Sequence, residues 1–474
     1  MAFWQALQPS KQVRQANNFS GGLDTDHSPF FIDENCLLSG YGWDFDNYPA
    51  LQVRAGRTAY GASGGAKTNL LTKYGNKYLV RAVGATLQYN SSGTTWTNIS
   101  GSYANVEWAA ANFDVNGPAL LLLNPTNGGY YWNGSSITAI TQMPKGKYIA
   151  TDNLRAYVAG KSGDEDVVFY SGFQNALDFN SAQNSGAVEY YTAAGGEISG
   201  LYAYNGAIWV FKKDSFAIIY HTGNSDITYR LVPSSDIIGC VSSKTISEVG
   251  PYLMWLGMSD VYIGAGDAAR GIGSDIKYYL NKINKSAISN AFSFTTNRRY
   301  YLCIPTGSNT TPDTCLVYDI EYRKWLPYSN NLPNLLQGVN LNGNIYAGDL
   351  NGQTFKMNDG LTDAGVPVQW LVQSRPFDDG IKEAEKELYE LHLQGYFPSG
   401  TTLNVKVAPD DIGSSWFDIN YDPTSPSSAT QNKNLIVPLD TVPLCNFYSY
   451  QLSGTGPATI QEIQRYSRIQ PVQY

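Results

Sequence analysis

Leu201-Tyr202-Ala203-Tyr204-Asn205-Gly206-Ala207-Ile208-Trp209-Val210-Phe211 is the stretch that decides the fold. Two apolar arms with β-forming residues flank an Asn-Gly pair. Asn and Gly tolerate positive φ, which the tight primed turn of a two-stranded hairpin requires. Lys73-Tyr74-Gly75-Asn76-Lys77-Tyr78-Leu79-Val80 has the same construction, and so does Val339-Asn340-Leu341-Asn342-Gly343-Asn344-Ile345-Tyr346-Ala347-Gly348-Asp349. A second strand pair follows these hairpins, as in Ala217-Ile218-Ile219-Tyr220-His221-Thr222-Gly223, Val261-Tyr262-Ile263-Gly264 and Cys315-Leu316-Val317-Tyr318-Asp319.

Working outward, the strand clusters begin near Thr68, Asn105, Tyr148, Glu197, Val241, Ser286 and Leu335. Their spacing, roughly 37 to 49 residues, matches a four-stranded propeller blade better than any helical repeat. The cuts give about seven units, with five or six equally defensible. The expected fold class is therefore all-β. It comprises an extended N-terminal arm (residues 1–66), a β-propeller of about five to seven blades (67–360) and a C-terminal β-sandwich-like domain (361–474). A pair of ordinary sandwiches is the competing architecture; a parallel β-solenoid needs shorter repeats. One segment breaks the pattern. In Gly273 to Ser286, Ile276, Leu280 and Ile283 fall on one helical face, and Ser274 or Asp275 can cap it. That predicts a short helix inserted between blades.

The arm opens polar, turns, and becomes aromatic, with no sustained period; a short strand or two is expected near Leu51 to Val53. After Gly360 the repeat stops. Gln369 to Arg375, Thr402 to Ala408, Leu435 to Leu439 and Phe447 to Gly454 read as strands. In Glu387 to Gly395, Tyr389, Leu391 and Leu393 alternate with polar residues, so period two outweighs the helix-like charges. Asp422 to Lys433 reads as a loop.

Composition agrees. Of 474 residues only 15% are charged, 13% are aromatic, and there are 35 Tyr, 46 Gly and 22 Pro. Disorder and coiled coil are excluded by this balance. The net charge of −8 argues against gripping nucleic acid, which needs a basic stripe. The longest apolar run, Ala119 to Leu123, is far short of the roughly 20 residues that span a bilayer. The start, Met1 to Pro9, lacks the basic and apolar regions of a signal peptide, so export by that route is not expected.

Five cysteines contain no C-x-x-C pair, and three histidines are scattered, so neither metal nor cofactor is expected. A hairpin centred on Asn309 would set Cys303 opposite Cys315, near disulfide reach, with two reduced core thiols as the alternative. Gly264 to Gly271 lacks the βαβ context of a dinucleotide fingerprint. Ser91-Ser92-Gly93-Thr94-Thr95-Trp96 and Asp411-Ile412-Gly413-Ser414-Ser415-Trp416 partly resemble the Asp-box of sialidase propellers, a turn-stabilising device rather than a catalytic one. Asp164, Glu165 and Asp166, like Asp378 and Asp379, are neighbours in sequence and read as solvated turns, not as a hydrolytic pair. Catalytic residues are not expected. Surface Trp and Tyr leave sugar binding open.

Asn18-Phe19-Ser20-Gly21-Gly22-Leu23-Asp24-Thr25-Asp26-His27-Ser28-Pro29-Phe30, followed by Leu51-Gln52-Val53-Arg54-Ala55-Gly56-Arg57, resembles the start of the tail stabilisation or nozzle proteins of short-tailed bacteriophages. Leu316 to Trp325 and Tyr346 to Met357 are similar to that group's blade pattern. The resemblance spans residues 17 to 360 loosely. It implies a structural virion protein made in the host cytoplasm. In the tail it would form a homo-oligomeric ring, a hexamer, below the portal and adaptor. It would close the head and let DNA pass without sequence-specific binding. An acidic ring repels the phosphate backbone, which suits such a channel. Phe19, Gly21, Gly22, Phe30, Phe31, Trp43, Arg54 and Arg57 are the candidate interface residues, through which the arm reaches a neighbour or covers its own propeller. The alternative function is a glycan-binding tail adhesin; a glycan-cleaving propeller comes third.

Overall fold

The computed structural model describes residues 12–16, 19–114, 117–181, 184–193, 195–223, 228–266, 268–332, 334–419 and 432–470. The deciding hairpin is formed by Gly200–Tyr204 and Ala207–Phe211, with Asn205 at φ 53° and Gly206 at φ 71° in its turn. Its second strand is buried on both faces, and the period of two divides the load. Ile208 and Val210 pack with the preceding sheet, while Trp209 and Phe211 pack with the following one. Leu120 and Leu122 likewise face one neighbour, and Leu121 and Leu123 the other. A run that reads as continuously apolar is thus the middle of a stack of sheets.

The stack is a β-propeller. Six four-stranded antiparallel sheets have first strands Thr68–Tyr74, Ala109–Asp114, Tyr148–Asp152, Gly200–Tyr204, Ser247–Val249 and Phe292–Thr295. The seventh has Leu335–Leu341, Asn344–Asp349 and Thr354–Met357, and borrows its fourth strand, Arg57–Ala59, from the arm. Its first strand packs against that of blade 1 and closes the ring. Arg81 reinforces this seam. It is buried under Trp96, with 3.9 Å from guanidinium to ring, and donates to the Gly352 and Ala62 carbonyls and to Thr354 Oγ1.

The inserted helix is present, between blades 5 and 6. A 3-10 turn, Ser274–Ile276, runs into the helix Lys277–Asn281, and Ile276, Leu280 and Ile283 are buried as its spacing predicts. Neither Ser274 nor Asp275 caps it; Gly273 holds that position without a side-chain bond. The Asp275 carbonyl instead accepts from the backbone N–H and hydroxyl of Thr25 in the arm.

Two sheets form the C-terminal sandwich. One runs Asn432–Pro438, Lys386–Tyr396, Thr459–Ile469, Leu51–Val53, Trp43–Asp44, with Gln12–Ala16 also paired to Thr459–Ile469. The other runs Ser39–Tyr41, Gln369–Gln373, Tyr448–Thr455, Thr402–Pro409, Phe417–Asp418. Arm strands therefore complete both sheets as well as blade 7, and the boundaries at 66 and 360 divide the sequence more cleanly than the fold. One hydrophobic core runs through blades 5 to 7, the arm and the sandwich. The expected loop at Asp422 to Lys433 lies almost wholly outside the described residues.

Candidate functional site

The eight residues singled out in the arm meet very different surroundings. Gly21 and Gly22 let the backbone press against the chain around it. A Cβ on Gly22, which sits at φ +67°, would meet Lys324 Cβ and the Trp325 carbonyl, both at 3.1 Å. Phe19 is buried in the shared core. Trp43 is fully buried, 5.5 Å from the Trp370 ring, and its indole N–H donates to the Leu371 carbonyl at 2.6 Å. Phe30 packs edge-on against Phe447 at 5.0 Å. Phe31 alone of the aromatic four stands out, 79% exposed. Within one chain, then, Phe19 and Trp43 have no surface left for a neighbouring copy, whereas Phe31 has.

Next to Trp43, Asp44 is buried where the arm crosses blade 6. It accepts from the Phe45 N–H at 2.7 Å, Tyr301 Oη at 2.9 Å and Arg299 Nη1 at 3.0 Å. Burial pushes the carboxyl up to about 6; the Asp46 charge adds to this, and Arg299 opposes it. Arg299 also donates to Asp46 at 2.6 Å.

Arg54 and Arg57 lie where arm, blade 7 and sandwich meet, and both reach Asp363, a partner no sequence motif announces. Arg54 is satisfied: Nη1 and Nη2 grip the two carboxylate oxygens, and Nε donates to the Tyr328 carbonyl at 3.0 Å. Arg57 is buried too, but its Nη1 stays 3.5 Å from Asp363 Oδ1.

The loops entering the first strands of blades 1 to 5 meet through ion pairs. Here Glu107 lies 3.4 Å from Lys67 and 3.2 Å from Lys244, and Lys147 lies 3.0 Å from Glu197. Burial works against the Glu107 charge, but Lys244 and Lys67 outweigh it and hold the carboxyl below its ordinary value. Each acid is matched to a lysine on another blade, so the cluster staples blades together.

The remaining candidates resolve as structure. Gly93 sits in the hairpin turn before Trp96, which covers Arg81. Asp411 accepts from the Gly413 and Ser414 N–H groups and the Ser414 hydroxyl, as a turn-stabilising carboxylate does. Asp164, Glu165 and Asp166 open the blade strand Asp164–Tyr170 rather than a turn, and Asp166 pairs with buried Lys212. Asp379 departs from its expected solvated turn: it is buried and accepts from Ser467 Oγ at 2.7 Å. Cys303 and Cys315 are directly opposed in register and both are buried, free thiols. Among the described residues no three His, Cys, Asp or Glu side chains converge as a metal site, and no helix is long and apolar enough to cross a membrane.

No known family profile matches the chain, and no curated protein matches it. Among solved structures it is similar to a streptogramin B lyase at 10% identity and TM-score 0.43, over 64% of this chain and 97% of that one. It is also similar to the extracellular domain of BT4673 from B. thetaiotaomicron, at 9% identity and TM-score 0.43, over 65% of this chain and 40% of that one.

Proposed function

We propose that the chain is a structural protein of a bacteriophage tail, of the stabilisation or nozzle kind. It would assemble as a ring below the portal and adaptor, close the head and channel DNA during ejection. The observation that carries this reading is how the motif-bearing arm is used. The arm that carries the resemblance supplies a strand to blade 7 and strands to both sandwich sheets; of these, Leu51–Val53 and the start of Arg57–Ala59 lie in the resembling stretches themselves. A part that bears internal pressure must not unzip from a free end. Here strand Gln12–Ala16 is held on the long strand Thr459–Ile469, so the two ends of the described chain lock each other. The acidic net charge supports passage of DNA without adhesion.

Electron microscopy of the purified full-length protein, alone and with portal–adaptor complexes, tests the proposal. Closed rings of six copies around an open channel are expected. A monomer at all concentrations that binds host glycans on an array would refute it in favour of an adhesin. Turnover of host polysaccharide that is lost on changing one carboxylate would point to an enzyme.

A further inference from the structure

Beside Arg57 the structure holds a cavity of about 200 Å³, lined among others by Tyr41, Arg54, Arg57, Ser329, Asn330 and Asp363. Its charge does not balance. One carboxylate, Asp363, faces two guanidinium groups, and Arg54 takes both of its oxygens. Arg57 is 7% exposed, and its buried Nε and Nη1 atoms have no hydrogen-bond partner. A guanidinium does not shed its proton in a protein, so its unmet donors cannot be relieved by neutralisation. Burial, and then the Arg54 charge against the opposing pull of Asp363, leave Arg57 below its ordinary value. A surplus positive charge, an arginine with unpartnered donors at the wall, and adjoining amide and hydroxyl side chains make a complementary set for an oxyanion.

We propose that this cavity binds a single oxyanion group, carboxylate or phosphate, with Arg57 as its principal donor. The volume admits one such group and not a nucleotide or sugar chain. The ligand comes either from solution or from an acidic side chain of a second copy, in a chain whose 40 acidic residues exceed its 32 basic ones. The inference stands on the cavity and holds whether or not the protein belongs to a tail.

Isothermal titration of the full-length protein with inorganic phosphate, and separately with acetate, tests it. The expected result is saturable binding of one anion per chain, weakened about tenfold or more by Arg57→Gln. Arg57→Lys, which keeps charge but not the fork, should fall between. Arg230→Gln, at an exposed site, should leave binding unchanged. Circular dichroism melts of each variant separate loss of the site from loss of the fold. Binding that persists in assembled protein identifies a free oxyanion; binding confined to the monomer identifies a neighbour's carboxylate. Absence of binding to the monomer, or equal binding by folded Arg57→Gln, overturns the proposal.

Discussion

Trp43→Ala is the sharpest test of how the arm holds the molecule together. The side chain is fully enclosed, rests on Trp370 and bonds the Leu371 carbonyl. Its neighbours cannot collapse into the gap easily. The arm is pinned on one side by pairing with Leu371–Gln373 and on the other by pairing of Trp43 with Val53. Truncating a buried Trp costs about 3–5 kcal/mol. Orphaning the carbonyl adds about 1 kcal/mol. Against a stability of about 5–15 kcal/mol for a folded domain, that is a large fraction. Trp43→Phe keeps most of the volume and loses the hydrogen bond, so about 1–2 kcal/mol is expected. Urea unfolding followed by far-UV circular dichroism measures both, and the Ala variant should shift the midpoint by about 1–2 M at a slope of about 3 kcal/mol/M, the upper end for small proteins. Limited proteolysis should reveal new cleavage in the arm and the sandwich together, because they share strands. A Trp43→Ala protein within about 0.5 kcal/mol of the parent, with an unchanged digest, would refute the argument that the arm is integral.

Arg81→Met should cost about 3–4 kcal/mol, since it empties three acceptors at the seam between blades 1 and 7; thermal melting that stayed within about 2 °C would contradict this role. Asp44 has a folded-state pKa above its ordinary value, so the native state binds its proton more tightly than the unfolded chain. Its contribution is greatest in acid and is lost as pH rises through about 6. Relative to Asp44→Asn, the parent should gain about 1 kcal/mol in urea unfolding between pH 7 and pH 5; a flat difference would sink the assignment. All five cysteines are buried free thiols, so none should react quickly with a thiol reagent in native protein, and five should react in urea. Recovery of only three in urea without reductant would reveal a Cys303–Cys315 bond.

The blades were legible because the turn chemistry repeats. Asn205-Gly206 and Asn342-Gly343 each place two residues at positive φ, and no helix tolerates that pair. The opposition of Cys303 and Cys315 followed from counting out from the loop. What the pattern concealed was non-local. Arg57-Thr58-Ala59 is too short to display a period, so its place as the last strand of blade 7 depends on a partner about 300 residues on. The central sandwich strand Thr459–Ile469 went unread because Arg465 and Ser467 occupy buried positions on it, where an apolar alternation would be sought. Arg465 is tolerated there because it lies flat on Phe377, 3.4 Å from guanidinium to ring centre, and reaches toward Glu34. At the candidate site, Arg54 and Arg57 drew notice as arm residues, but the Asp363 that divides them into a satisfied and an unsatisfied arginine carries no sequence signal. Phe30 and Phe31 are adjacent and alike, yet only packing separates the half-buried ring set against Phe447 from the exposed one.

The scarcity of charge takes on meaning from where the buried charges lie. Asp44 with Arg299, Arg54 with Asp363, and Arg465 with Glu34 each join residues remote in sequence, and each joins the arm to something else. Such pairs add little net stability, because desolvation offsets most of their attraction. Their effect is on error. An apolar strand can slip by two residues and still bury its side chains, whereas a slip that strands a guanidinium without its carboxylate costs about 3–5 kcal/mol. The arm is the element most exposed to such mistakes: its strands are short, and they must find three separate sheets. These three pairs, each with at least one buried partner, supply register along the arm where strand length cannot. Arg57 and Arg465 both keep buried Nε and Nη1 atoms without partners, but it is Arg57 that borders the cavity beside Asp363, and there an oxyanion would complete the contact.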